Sequence, residues 1–184
     1  MPLNEIVATV SIVIQVTGGS VVGSASGFFY SKGDQLFLVT NQHVMRNDKE
    51  GIIPDALRLR LHTDPNDIRK TAEFNVPLYR DGKKLWKIHP KHPGADVALI
   101  KINSEDFKKR FFVKAWSRTN FLPADLPLHP GEDVFIMGYP LSFHDVQHNL
   151  PIFRDAMIAS TYRVPFQGAP LFLTDANLHP GTSR

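Results

Sequence analysis

The chain has 184 residues, 42% apolar and 10% aromatic, with 21 Lys+Arg against 18 Asp+Glu and a formal net charge of +3. This is a globular composition, and a chain this long buries roughly 70% of the surface its unfolded form exposes. Cysteine is absent, which excludes disulfide scaffolds, thiol nucleophiles and Cys-ligated zinc; so small a positive charge does not argue for nucleic acid.

The chain opens MPLNEIVATVSIVIQV, with Glu5 as the first charged side chain. A secretory signal needs a positive leading region. Thr9, Ser11 and Gln15 interrupt the apolar run 6–16, which also falls short of the roughly 20 residues of a spanning helix. A strand is expected there. Without a signal, cysteine or an Asn-x-Ser/Thr sequon, the expected location is cytoplasmic, with no membrane partner.

Further strands are expected at 27–30, 35–40, 57–62, 74–79, 96–102, 133–138, 154–162 and 171–175. Ser31-Lys32-Gly33-Asp34 reads as a hairpin turn between two of them. Leu57, Leu59 and Leu61 alternate with Arg58, Arg60 and His62, the pattern of a half-buried strand. A short helix is expected within 104–112, capped by Ser104. Residues 103–130 hold Pro123, Pro127 and Pro130 with few strand signals. They are expected to link an N-terminal β lobe, 1–102, to a C-terminal one, 131–184. Short strands separated by turn signals predict an all-β protein.

Three segments carry residues suited to chemistry, and each alone also reads as ordinary surface or loop. Leu38-Val39-Thr40-Asn41-Gln42-His43-Val44 ends an apolar strand on a histidine. Ala95-Asp96-Val97-Ala98-Leu99-Ile100 puts a carboxylate at the head of an apolar strand, where it needs solvent or a donor. Thr174-Asp175-Ala176-Asn177-Leu178-His179-Pro180-Gly181-Thr182-Ser183 runs into a Pro-Gly turn that presents a serine. Successive N–H groups in such a turn can converge on a developing oxyanion. Together the segments give the order His…Asp…Ser, one of three convergent triad orders and the one of two-barrel proteases.

On these residues the sequence resembles the trypsin-like serine peptidases, nearest to their bacterial, cysteine-free, HtrA-like branch. Gly27-Phe28-Phe29-Tyr30 resembles the family's Gly-Phe strand. Leu38–Val44 resembles its VTNxHV motif and Ala95–Ile100 its DVAL motif. Gly131–Pro140 resembles the strand that opens the second barrel, and Thr174–Ser183 the TDAxxxPGxS nucleophile loop.

The resemblance implies two antiparallel Greek-key β-barrels of the chymotrypsin type. It implies a serine endopeptidase with Ser183 as nucleophile, His43 as general base and Asp96 as orienter of the imidazole. Gly181 and Ser183 N–H groups would form the oxyanion hole, and Asn177 the floor of the substrate pocket. An uncharged floor implies preference for an uncharged side chain beside the cut. The implied partner is a protein or peptide substrate; no cofactor and no metal is implied, and oligomeric state is not legible.

Two departures qualify this. The family places glycine after its serine and continues with further strands, whereas here Arg184 follows and the sequence stops. The second barrel is therefore expected to be incomplete at its C-terminal end. The alternative function is a catalytically inactive protease-fold module that binds peptides or regulates. Retention of His43, Asp96 and Ser183 argues against such decay. His89-x2-His92 and His144-x3-His148 have ligand-like spacing, but no HExxH accompanies them. Lys83-Lys84…Lys87 and Lys108-Lys109-Arg110 read as solvated faces rather than a nucleic-acid surface.

Overall fold

The computed structural model describes residues 1–102, 105–123 and 125–176. Its strands are β1 Val10–Thr17, β2 Ser20–Lys32, β3 Gln35–Thr40, β4 Ala56–His62, β5 Thr71–Pro77, β6 Tyr79–Arg80, β7 Lys83–Lys84, β8 Trp86–Ile88, β9 Ala98–Ile102, β10 Asp133–Gly138 and β11 Ile152–Met157. Two short helices are α1 Gln42–Met45 and α2 Glu105–Arg110. The predominance of strands is the fold class expected. Among the described residues no helix is long and apolar enough to cross a membrane.

One sheet dominates, in the order β5-β4-β1-β2-β3-β9-β8, with antiparallel neighbours throughout. β2 and β3 form the expected hairpin: Lys32 pairs with Gln35 across Gly33-Asp34. Gly33 takes φ +57°, as the first position of a tight two-residue turn requires. Leu57, Leu59 and Leu61 of β4 are all buried, as their alternation predicts.

The sheet must curl. Laid flat, its edges would stand about 28 Å apart at the usual strand spacing. Val76 of β5 and Trp86 of β8, from opposite edges, nonetheless belong to one buried cluster with Phe29, Leu38 and Ile100. The β5 and β8 edges carry no ladder between them among the described residues. The chain after β5 is tied to the chain before β8 by the short β6–β7 pair and by a bond from Leu85 N–H to the Leu78 carbonyl, 3.0 Å. Gly27 sits where the curled layers approach closely. A Cβ there would lie 2.9 Å from Val13 Cγ2, 3.0 Å from Leu38 Cδ1 and 3.1 Å from the Val39 carbonyl oxygen.

α2 closes this core. Phe107 and Phe111 are buried, and Phe107 meets Phe74 edge-on at 4.8 Å between ring centroids. The chain then runs back along the sheet: Phe112 N–H donates to the His62 carbonyl at 2.8 Å and Trp116 N–H to the Phe29 carbonyl at 2.9 Å. The first part of the stretch expected as a linker thus packs on the first lobe. Ser104, expected as the helix cap, lies outside the described residues.

β10 and β11 form a separate antiparallel pair. One face carries Val134, Ile136, Arg154 and Ala156; the other carries Phe135, Met137, Phe153 and Met157. The loop 139–150 fastens this pair to the sheet. Tyr139 N–H donates to Ser26 Oγ at 2.7 Å, and Ser24 and Ser142 join through their hydroxyls. Arg60 Nη1 donates to the Val146 carbonyl at 2.7 Å and His62 Nε2 to the His148 carbonyl at 2.8 Å. Asn149 Nδ2 donates to the Arg60 carbonyl at 2.9 Å.

Several elements differ from expectation. Residues 7–9 form a 3-10 turn, not strand. Asn4 Oδ1 takes the Ile6 N–H at 3.1 Å and Thr9 Oγ1 bonds the Ile6 carbonyl at 2.7 Å, so local side chains turn the backbone before β1 begins. β2 extends back to Ser20 through small residues, because β1 pairs with it as far as Thr17. β8 was not expected. Residues 171–175 form no ladder among the described residues; they meet 157–160 through an isolated bridge, Ile158 to Thr174, and through bonds from Ala159 N–H to the Leu173 carbonyl and from Asp175 N–H to the Met157 carbonyl.

Candidate active site

Thr40 ends β3, Asn41 takes extended φ −70°, ψ 150°, and α1 begins at Gln42. Four residues are too few to hold a helix alone. Val44 and Met45 are buried beneath it, and Gln15 Nε2 reaches from β1 to the Val44 carbonyl at 2.9 Å. This anchoring leaves His43 on the outer side, its side chain half exposed.

Asp96 was expected to head its strand, but β9 starts two residues later, at Ala98. Val97 N–H bonds the Ala95 carbonyl at 2.8 Å, a three-residue turn centred on Asp96. The turn delivers the carboxylate to α1. Asp96 Oδ2 lies 2.6 Å from His43 Nδ1, and Asp96 Oδ1 accepts the His43 backbone N–H at 3.0 Å. Asn41 Nδ2 donates to Asp96 Oδ2 at 3.1 Å and to the Asp96 carbonyl at 3.0 Å. Partial burial pushes the Asp96 carboxyl up, but the His43 backbone N–H, the imidazole and the Asn41 amide together hold it below its ordinary value. A carboxylate on Nδ1 fixes the tautomer that leaves Nε2 as the basic nitrogen.

A cleft of ≈270 Å³ opens beside the pair, lined by Gly27, Phe28, Val39, Asn41, Asp96 and Met137 among others. Met137 belongs to β10, so the cleft lies where the hairpin meets the sheet.

The model of one family, the trypsin-like peptidase domain, matches residues 25–183. The chain belongs to that family. As a trypsin-like peptidase domain it also shares its fold with solved serine proteases. The serine endoprotease from Yersinia pestis is similar over 100% of this chain and 52% of its own, at 17% identity and a TM-score of 0.56. A scabies mite inactivated protease paralogue is similar over 96% of this chain and 76% of its own, at 14% identity and a TM-score of 0.55. The chain thus spans about half the length of the Yersinia protein. No curated protein matches it. These likenesses establish the chymotrypsin-like fold.

Of the residues singled out in the sequence, His43 and Asp96 meet directly. Asn177, Gly181 and Ser183 lie outside the described residues. The His89 and His92 rings lie 5.0 Å apart and tilted by 30° in an exposed loop, and His148 pairs with Asp145 at 2.8 Å. No group of three or more metal-ligating side chains occurs among the described residues. Asn41 was not singled out. It stands within the histidine motif, but nothing local shows that its amide turns to a residue 55 positions away.

Proposed function

We propose that this trypsin-like domain is a serine endopeptidase acting through His43, Asp96 and Ser183. The 2.6 Å contact between His43 Nδ1 and Asp96 Oδ2 carries the reading. Ser183 Oγ attacks the scissile carbonyl carbon as His43 Nε2 takes its proton. Gly181 and Ser183 N–H groups receive the oxyanion, a contribution of roughly 3–4 kcal/mol per donor in such sites. Collapse of the tetrahedral species breaks the C–N bond, and His43 returns the proton to the leaving amine. Water then hydrolyses the acyl-enzyme by the same route, with Asp96 stabilising the imidazolium.

The lobes are 1–102 and 131–184, with residues 105–116 of the stretch between them packed on the first, and the chain sits in the cysteine-free, HtrA-like branch of its family. The motif strings and the absence of cysteine support that placement. Asn177 forms the pocket floor, so an uncharged side chain is accepted next to the cut. Incubation of the protein carrying this chain with a peptide library tests both points. Cleavage after uncharged residues, abolished by Ser183→Ala, is expected. Cleavage after Arg or Lys would contradict the pocket, and cleavage retained in Ser183→Ala would contradict the nucleophile. The second reading is an inactive peptide-binding or regulatory module. It draws on the likeness to an inactivated protease paralogue, and peptide binding without turnover would favour it.

A further inference from the structure

Asn41 occupies the capping position of α1, yet its side chain makes no cap bond. An asparagine there ordinarily turns its oxygen onto an N–H of the first helical turn. Here the N–H of the second helical residue, His43, is taken by Asp96 Oδ1 at 3.0 Å. Asp96 thus caps the helix from across the fold, and Asn41 is released for another partner. Its amide reaches Asp96 twice, at the main-chain carbonyl (3.0 Å) and at Oδ2 (3.1 Å).

Asp96 needs such a partner. It sits in a three-residue turn before β9, not in a ladder, and its side chain is 39% exposed. A carboxylate so placed can rotate about its own bonds unless both oxygens are held. His43 alone contacts one oxygen through its backbone and the other through its ring; both contacts move if α1 moves. Asn41 lies on the strand side of that joint. By bridging the carbonyl and Oδ2 of one residue, it fixes the side-chain torsion of Asp96 relative to its main chain.

We propose that Asn41 is a positioning residue: its amide clamps the Asp96 carboxylate in the rotation that presents Oδ2 to His43 Nδ1. The proposal rests on the reading of His43 as the general base. The clamp also keeps Asp96 an acceptor, because a donor on Oδ2 favours the ionised form.

Nuclear magnetic resonance on isotopically labelled protein tests this without turnover. In the wild-type protein, the Asn41 side-chain amide resonances should shift with the same midpoint as the Asp96 carboxyl carbon. In Asn41→Leu, which nearly keeps the volume and removes the donor, Asp96 should titrate at higher pH than in the wild type. Fluorophosphonate labelling of Ser183 should slow about tenfold, the worth of one charge-assisted hydrogen bond. An Asn41 amide indifferent to Asp96 titration overturns the proposal, as does an unchanged Asp96 midpoint in Asn41→Leu. If Asn41→Leu does not fold, the wild-type amide signal decides alone. A Ser183 that never labels contradicts the peptidase reading and leaves both resonance measurements interpretable.

Discussion

In the seven-stranded sheet Phe29, Leu38, Leu57 and Leu59 are fully buried, while in the β10–β11 pair Phe135, Phe153 and Met157 are 75%, 45% and 42% exposed. The sheet curls around one core that α2 completes. The hairpin, among the described residues, meets β2 and β4 through the polar contacts of loop 139–150, while Tyr139, Ala156 and Ile158 are its buried side chains. The first region therefore draws its stability from apolar burial. The position of the second also draws on a few directed bonds: Tyr139 N–H to Ser26 Oγ, the Arg60 and His62 side chains to the Val146 and His148 carbonyls, and the Asn149 amide to the Arg60 carbonyl. His43 and Asp96 both sit on the first region, so their pairing does not depend on the hairpin.

The sharpest test of this contrast is a pair of substitutions read by urea unfolding. Phe29→Ala should cost about 3–5 kcal/mol, as large core truncations do. Phe135→Ser should fall within about 0.5 kcal/mol of wild type, as exposed changes do. Similar costs at both sites would break the contrast.

The next effect is a pH dependence of the fastening. Burial pushes the His62 imidazole below its ordinary value; the bond to the His148 carbonyl opposes this, and the Arg60 and His148 charges add to it. The native state therefore takes up this proton at lower pH than the unfolded chain does. The stability from neutral, buried His62 is fully present above the unfolded value of 6.5 and is lost as pH falls through the lowered native value. Urea midpoints should drop from pH 7.5 toward pH 5 more steeply in the wild type than in His62→Gln. Parallel slopes would remove His62 from the account.

The smallest effect is expected from Tyr139→Phe. Tyr139 is buried and its hydroxyl donates to the Asn149 carbonyl at 3.2 Å. Losing that bond should cost about 0.5–1.5 kcal/mol and raise amide exchange in 139–150 more than in β1–β4. Uniform acceleration across the sheet would show that the loop and sheet are not separable.

Much of this was legible in the sequence because its signals are local. Gly33-Asp34 marks a turn, the β4 leucines mark a face, and 35–40 and 133–138 are bounded by breakers, so β3 and β10 fall where expected. The histidine and aspartate motifs could be matched as strings, and the structure brings His43 and Asp96 together. What was not legible depends on distant partners. Ser20-Val21-Val22-Gly23-Ser24 mixes two β-branched valines with serines and a glycine, too short an apolar run to read as strand by itself, and its pairing with β1 extends β2 through it. Trp86–Ile88 is too short to carry a period, and it is set by pairing with β9. The turn at Asp96 and the diversion of Asn41 from its helix are fixed by contacts across more than 50 residues of chain.

If His43 and Asp96 activate Ser183, a fluorophosphonate probe should leave one adduct, mapped by mass spectrometry to Ser183, absent in Ser183→Ala and formed far more slowly in His43→Ala. Equal labelling of wild type and Ser183→Ala would contradict that activation.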